Sequence, residues 1–195
     1  HPSYTASTIK PLKYTASEMK KAEFTATEMK RAGYTCSEMK EARFTVPEMK
    51  VAKFTAPDLK RVGYSGSEIK AAGYTAAELK ATASEMGLAN FTATELKTAG
   101  YSGLQIKEAT WVSGYNNKKY TASDMRIAGF TVAEMKTLEF SVSDMQNGGF
   151  KCSEIKAEGF KASEMESGGY SAAEIKATEM RILKLSSDSF PYESQ

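Results

Sequence analysis

An acidic side chain recurs every ten residues through most of this chain, at Glu18, Glu28, Glu38, Glu48, Asp58, Glu68 and Glu78, and again from Asp124 through Glu134, Asp144, Glu154 and Glu164 to Glu174. Paired carboxylates are the raw material of general acid–base catalysis. That chemistry needs two groups in unlike environments, and here each copy sits in the same local sequence. The rest of the catalytic inventory is thin. His1, at the terminus, is the one histidine. It leaves no Ser-His or Cys-His nucleophile pair and no ordinary zinc ligand set. Cys36 and Cys152 make no disulfide framework or metal spacing and read as two buried or half-buried thiols. The fourteen glycines build no phosphate loop. No cofactor and no metal are expected, and the chain is not expected to be an enzyme.

A lysine follows the acid two positions later in nearly every copy, as in Glu28-Met29-Lys30. Such a row attracts polyanions when it stands alone. Here the neighbouring carboxylates cancel most of its field and the net charge is only +2, so it reads as a solvated face with no nucleic-acid partner. The charge is nevertheless uneven: residues 1–80 hold 14 basic and 9 acidic residues, residues 81–195 hold 12 and 15. A Thr/Ser row could carry O-linked glycans, and Asn90-Phe91-Thr92 is an N-glycosylation sequon with Asn90 as acceptor. No apolar run approaches the roughly 20 residues that span a bilayer, so no membrane insertion is expected.

These residues are set by a strict repeat. Aromatics stand at Tyr4, Tyr14, Phe24, Tyr34, Phe44, Phe54, Tyr64 and Tyr74, then at Phe91 and Tyr101, then at Tyr120, Phe130, Phe140, Phe150, Phe160 and Tyr170. The unit is aromatic, Thr/Ser, small, small, Glu/Asp, Met/Leu/Ile, Lys, variable, Ala, Gly. A fixed period means repeat architecture. Thr/Ser with Glu three residues on is a capping box, and the preceding aromatic can staple to the aliphatic at the fourth helical position. Thus Thr25 is an N-cap, Glu28 its partner, and Phe24 with Met29 the staple. Gly at the tenth position suits the left-handed residue that closes a helix. Pro47 and Pro57 fall at the second helical position, where no hydrogen bond is lost. The expectation is an all-α solenoid of very short helices, about two turns and one per repeat. Its rival is a right-handed β-helix of the pentapeptide-repeat type, since the string also parses at period five; ice binding through a hydroxyl ladder is tied to that rival. Against it, the aromatic and Met/Leu/Ile alternate strictly, and Glu, Met, Lys and Ala favour helix.

A single solenoid over 1–185 is expected, irregular at 81–90 and 111–119, with a longer helix over about 172–185 and a tail at 186–195. At the first break three residues are missing, so that two helices fuse or pack at a new angle. The second carries the only Trp and a Gly-Tyr-Asn-Asn turn signal. The unit Gly73-Tyr74-Thr75-Ala76-Ala77-Glu78-Leu79-Lys80 resembles that of the decapeptide-repeat proteins of algae and other protists; the likeness implies a repeat fold and no assigned activity. The chain opens His1-Pro2-Ser3 without Met, as expected of a processed product or a fragment, and an extracellular or cell-surface location is expected. The function expected first is a non-enzymatic structural protein that self-associates head to tail, as a homo-oligomer or homopolymer, into a filament or surface layer. The alternative is a monomeric binding scaffold. Candidate interaction residues are Trp111, Tyr115, Asn116 and Asn117 at the second break, and Ile182, Leu183 and Leu185 on the last helix.

Overall fold

The computed structural model describes residues 5–9, 12–113 and 116–188. They form seventeen helices and one two-stranded sheet, so the expected all-α solenoid is what the chain builds, and the β-helix is not.

One copy shows why ten residues suffice. In α3 (Ala26–Arg31), the Thr25 hydroxyl accepts the N–H of Glu28 at 3.3 Å and the Glu28 carboxylate accepts the N–H of Thr25 at 2.8 Å, the reciprocal box expected. At the other end Gly33 has φ 83°. Its N–H donates to the Lys30 carbonyl at 2.9 Å, and that of Tyr34 reaches back to Met29 at 3.0 Å. This is a Schellman closure. The aromatic therefore closes one helix and introduces the next cap. Where the second position holds Lys151 or Lys161, which have no acceptor, only the carboxylate half of the box survives, at 2.6 and 2.7 Å.

The chain groups into two compact units, His1–Phe91 with Trp111–Tyr115 and Thr92–Thr110 with Asn116–Gln195. The helices of the first are α1 (Ala6–Ile9), α2 (Ala16–Lys21), α3, α4 (Cys36–Glu41), α5 (Val46–Val51), α6 (Ala56–Arg61), α7 (Gly66–Ala71), α8 (Ala76–Leu79) and α9 (Ala83–Leu88). The second holds α10 (Ala93–Thr98), α11 (Gly103–Glu108), α12 (Ala122–Ile127), α13 (Val132–Thr137), α14 (Val142–Asn147), α15 (Cys152–Ala157), α16 (Ala162–Ser167) and α17 (Ala172–Asp188).

Helices pack mainly on their second neighbours: α1 on α3, α3 on α5, α2 on α4, α6 on α8 and α7 on α9, and in the second unit α10 on α12, α12 on α14, α14 on α16 and α15 on α17. Two decapeptides thus make one turn, with odd and even helices in separate stacks. Six-residue helices are unstable alone in water. Burial supplies what they lack: Met29, Met39, Met49, Leu59 and Ile69 in one unit and Leu96, Ile106, Met125, Met135 and Met145 in the other are wholly buried. Each is worth about 1.5–3 kcal/mol. The aromatics line the edge of this core, and Tyr hydroxyls join successive turns, Tyr74 donating to the Phe54 carbonyl and Tyr170 to that of Phe150, both at 2.6 Å.

The small third and ninth positions face each other across a turn, and their sizes compensate. Leu138 lies over Gly103, Val142 over Gly168, and Ala89 over Gly66; a Cβ on Gly103 would sit 2.8 Å from Leu138 Cδ1.

The irregular segments differ in part from expectation. The missing residues remove the second turn of α8, which ends at Lys80 in the left-handed region (φ 50°), and α9 starts afresh at Ala83, so the two helices do not fuse. The second break is more than a turn: β1 (Thr110–Ser113) and β2 (Asn116–Lys119) pair as a sheet. The long last helix is present and runs to Asp188, three residues into the segment expected as tail.

Candidate functional site

The glutamate row is spent on helix starts. Hydrogen bonds from the Thr25 hydroxyl and backbone hold the Glu28 carboxyl below its usual range, and Thr45 and Ser65 do the same for Glu48 and Glu68. All three are pushed the same way, whereas acid–base catalysis needs partners pushed apart. The Thr hydroxyls are occupied too, Thr25 donating to Glu28 at 2.7 Å, so they form no free ladder for ordering water.

The lysine row is not the solvated face expected. Lys20 Nζ donates to the Arg43 carbonyl at 2.6 Å, Lys30 to Lys53 at 2.5 Å and Lys40 to Val62 at 2.6 Å. Each carbonyl lies just past the end of the second helix on, where the helix dipole favours a cation. The same ammonium stands over the aromatic that follows, 4.4 Å from the ring centre for Lys20 over Phe44 and for Lys30 over Phe54, and 4.8 Å for Lys40 over Tyr64. In the second unit Lys97 reaches the Gly129 carbonyl at 2.9 Å and Phe130 at 3.9 Å, and Lys107 bonds the Leu138 carbonyl and covers Phe140. The lysine is therefore a clamp between turns. A signal for it existed, since Lys and the aromatic that opens the third repeat on keep a constant offset, but it has meaning only once helices are known to stack on second neighbours. Where α8 lacks its second turn, Lys60 turns instead to the Glu85 carboxylate at 2.5 Å.

The surface notches repeat with this geometry. One is lined by Lys50, Phe54, Thr55, Tyr74 and Glu78, another by the matching Lys20, Phe24, Thr25, Phe44 and Glu48. They are the texture of the repeat and single out no centre. Among the described residues no three His, Cys, Asp or Glu side chains gather where a metal ion could bind, and no helix is long and apolar enough to cross a membrane. Cys36 and Cys152 are half-buried free thiols, and burial pushes the Cys36 thiol up.

The candidate interaction residues fall on separate elements. Trp111 and Asn116 lie on β1 and β2, Asn117 is exposed on β2, and Tyr115 falls outside the described residues. Ile182, Leu183 and Leu185 are on α17, 44%, 67% and 69% exposed, with Met180 at 63%. Asn90 is exposed at the closure of α9 with φ 61°, its carbonyl held by Lys70 at 2.6 Å.

No curated protein and no solved structure matches this chain. A family model described as the decapeptide repeat region matches residues 3–76 and 116–190; the residues between hold the first irregular segment, the two copies that begin at Phe91 and Tyr101, and the start of the second irregular segment. With that match over most of its length and one capped helix per ten residues, the chain belongs to the decapeptide-repeat family.

Proposed function

We propose that this is a non-enzymatic structural protein whose copies associate head to tail into a filament or layer at the cell surface or outside it. The observation that carries the reading is α17: the longest helix of the described residues leaves Met180, Ile182, Leu183 and Leu185 largely in solvent. Apolar side chains grouped on one exposed element mark a surface that another molecule covers. The regular polar rows add support, because capping boxes and clamps engage them within the fold and leave little for substrate chemistry. The exposed acceptor Asn90 of the sequon favours the extracellular placement. Complementary surfaces related by a rotation that does not close give open filaments.

Electron microscopy across a concentration series is the test. Filaments or sheets with a regular spacing are expected, and Leu183→Asp with Leu185→Asp should shorten or abolish them. Discrete particles at every concentration would overturn the reading and favour a monomeric scaffold, whose specific feature is the β1–β2 interruption with exposed Asn117, Lys118 and Lys119.

A further inference from the structure

Once the capping glutamates and clamp lysines are set aside, the charges that remain at the helix ends, positions eight to ten of each repeat, are sorted by sign. In the odd stack of the first unit (α1, α3, α5, α7, α9) they are Lys13, Arg31 and Lys53, with no acid. In the odd stack of the second unit the helices that end at these positions, α11, α13 and α15, carry exposed Glu108, Glu139 and Glu158, with no base; α17 runs on past them and carries exposed Arg181 and Lys184. The even stacks show no such sorting: α2, α4 and α6 carry Lys21, Glu23, Glu41, Arg43 and Arg61, while α10, α12 and α14 carry Thr98, Ile127 and Asn147. All six sorted residues are exposed, and none makes an ion pair among the described residues.

Two further observations bear on these positions. Lys13, Lys53 and Glu139 hold φ of 64°, 60° and 54° in the closing position where eight glycines also sit at positive φ, and Glu23 and Arg43 of the even stack do so at 64° and 60°. A side chain there costs about 1–2 kcal/mol relative to the right-handed form, so charge is retained against local strain in both stacks, and the odd stacks alone sort it by sign. Exposed apolar residues accompany the charges: Val51 and Leu88, 74% and 59% exposed, are in the basic stack, and the acidic stack ends in α17.

We infer that the occupant of this surface is a second copy of the chain: the Lys13, Arg31 and Lys53 edge of one molecule docks against the Glu108, Glu139 and Glu158 edge of another. This rests on the self-association proposed above and names its surface. Opposite charge on facing edges speeds encounter and fixes register, and like charge rejects the wrong pairing. A copy so docked still offers its own acidic edge, so the contact propagates. Exposed pairs act over about a Debye length and are screened by salt.

Sedimentation velocity on three full-length chains tests it: the unaltered protein, Lys13→Glu/Arg31→Glu/Lys53→Glu, and Glu108→Lys/Glu139→Lys/Glu158→Lys, with circular dichroism to check helicity. The unaltered protein should associate about tenfold more weakly in about 0.5 M than in about 0.05 M salt. Each triple variant alone should lose about tenfold in association at low salt, and an equimolar mixture of the two should recover it, since the acidified edge of one then meets the basic edge of the other. If a triple variant loses helicity, K53E and E139K, alone and mixed, carry the same test. Variants that assemble like the unaltered chain, or a mixture that stays dissociated, overturn this surface while leaving self-association standing. An unaltered chain that is monomeric at every concentration and salt overturns both.

Discussion

At the scale of the residue, the seventh-position lysine gains most from its surroundings. Lys50 Nζ donates to the Gly73 carbonyl at 2.5 Å and stands 4.6 Å from the centre of the Tyr74 ring. A charge-assisted hydrogen bond contributes about 1.5–3 kcal/mol when shielded, and a cation over an aromatic about 0.5–1 kcal/mol at an exposed site. Water reaches these ammonium groups, so their joint contribution falls below the sum of the lower figures. Lys50→Met keeps the aliphatic stem against the ring and removes only the charge and the donor. It should cost about 1 kcal/mol, read as a lowered urea midpoint and as faster amide exchange around Gly73 and Tyr74. An unchanged midpoint would mean that the ammonium adds nothing beyond its stem. The seventh-position lysine was plain in the sequence and its task was not, because the carbonyl it meets lies about twenty residues away, on a helix that only the stacking identifies.

At the scale of the element, the helix boundaries were legible almost to the residue. Every signal that sets them, the Thr/Ser cap, the Glu three residues on, the left-handed closing residue and the staple aromatic, acts within one repeat. Pairing between helices was not legible, because it depends on a geometry that no single repeat contains. Sizes show the consequence. Gly103 sits beneath Leu138, and a methyl group added to it would also crowd Phe130 Cε1 at 2.9 Å. In an open helix Gly→Ala stabilises by about 0.5–1 kcal/mol through the backbone. Gly103→Ala alone should therefore destabilise, since overpacking costs about 1–3 kcal/mol. In a Leu138→Ala background the space opens, and the same change should turn neutral or stabilising. Denaturation of the four chains of this cycle gives the coupling directly, expected at about 0.5–3 kcal/mol for residues in contact. Additive effects would show that the two positions do not meet. The β1–β2 pair was also missed as an element: Thr110, Trp111 and Val112 favour strand, but one short run beside a turn is a weak signal against so strong a helical background.

At the scale of the molecule, repetition multiplies one titration. Hydrogen bonds from Thr or Ser hold Glu28, Glu48, Glu68, Glu78 and Glu134 below the ordinary carboxylate value. A carboxylate lowered on folding contributes stability that is complete above its unfolded-state pKa, about 4.3, and is lost as pH falls through the lower folded-state value. Each exposed box contributes little. In a stack whose stability is a sum of unit and nearest-neighbour terms, however, the small losses accumulate and neighbours fail together. The melting temperature should therefore stay level from about pH 7 to pH 5 and fall steeply below about pH 4.3. The chain itself supplies the control, because Gln105 already fills the acid position of α11 and accepts the Ser102 N–H at 2.8 Å. Replacing Glu28, Glu48 and Glu68 together by Gln keeps that hydrogen bond and removes three titrating groups. The variant should lose some stability at pH 7 and show a shallower acid slope. If its slope equals that of the parent chain, the capping carboxylates do not set the acid limit of the fold, and the clamps and the buried Met, Leu and Ile side chains hold the stacks together without them.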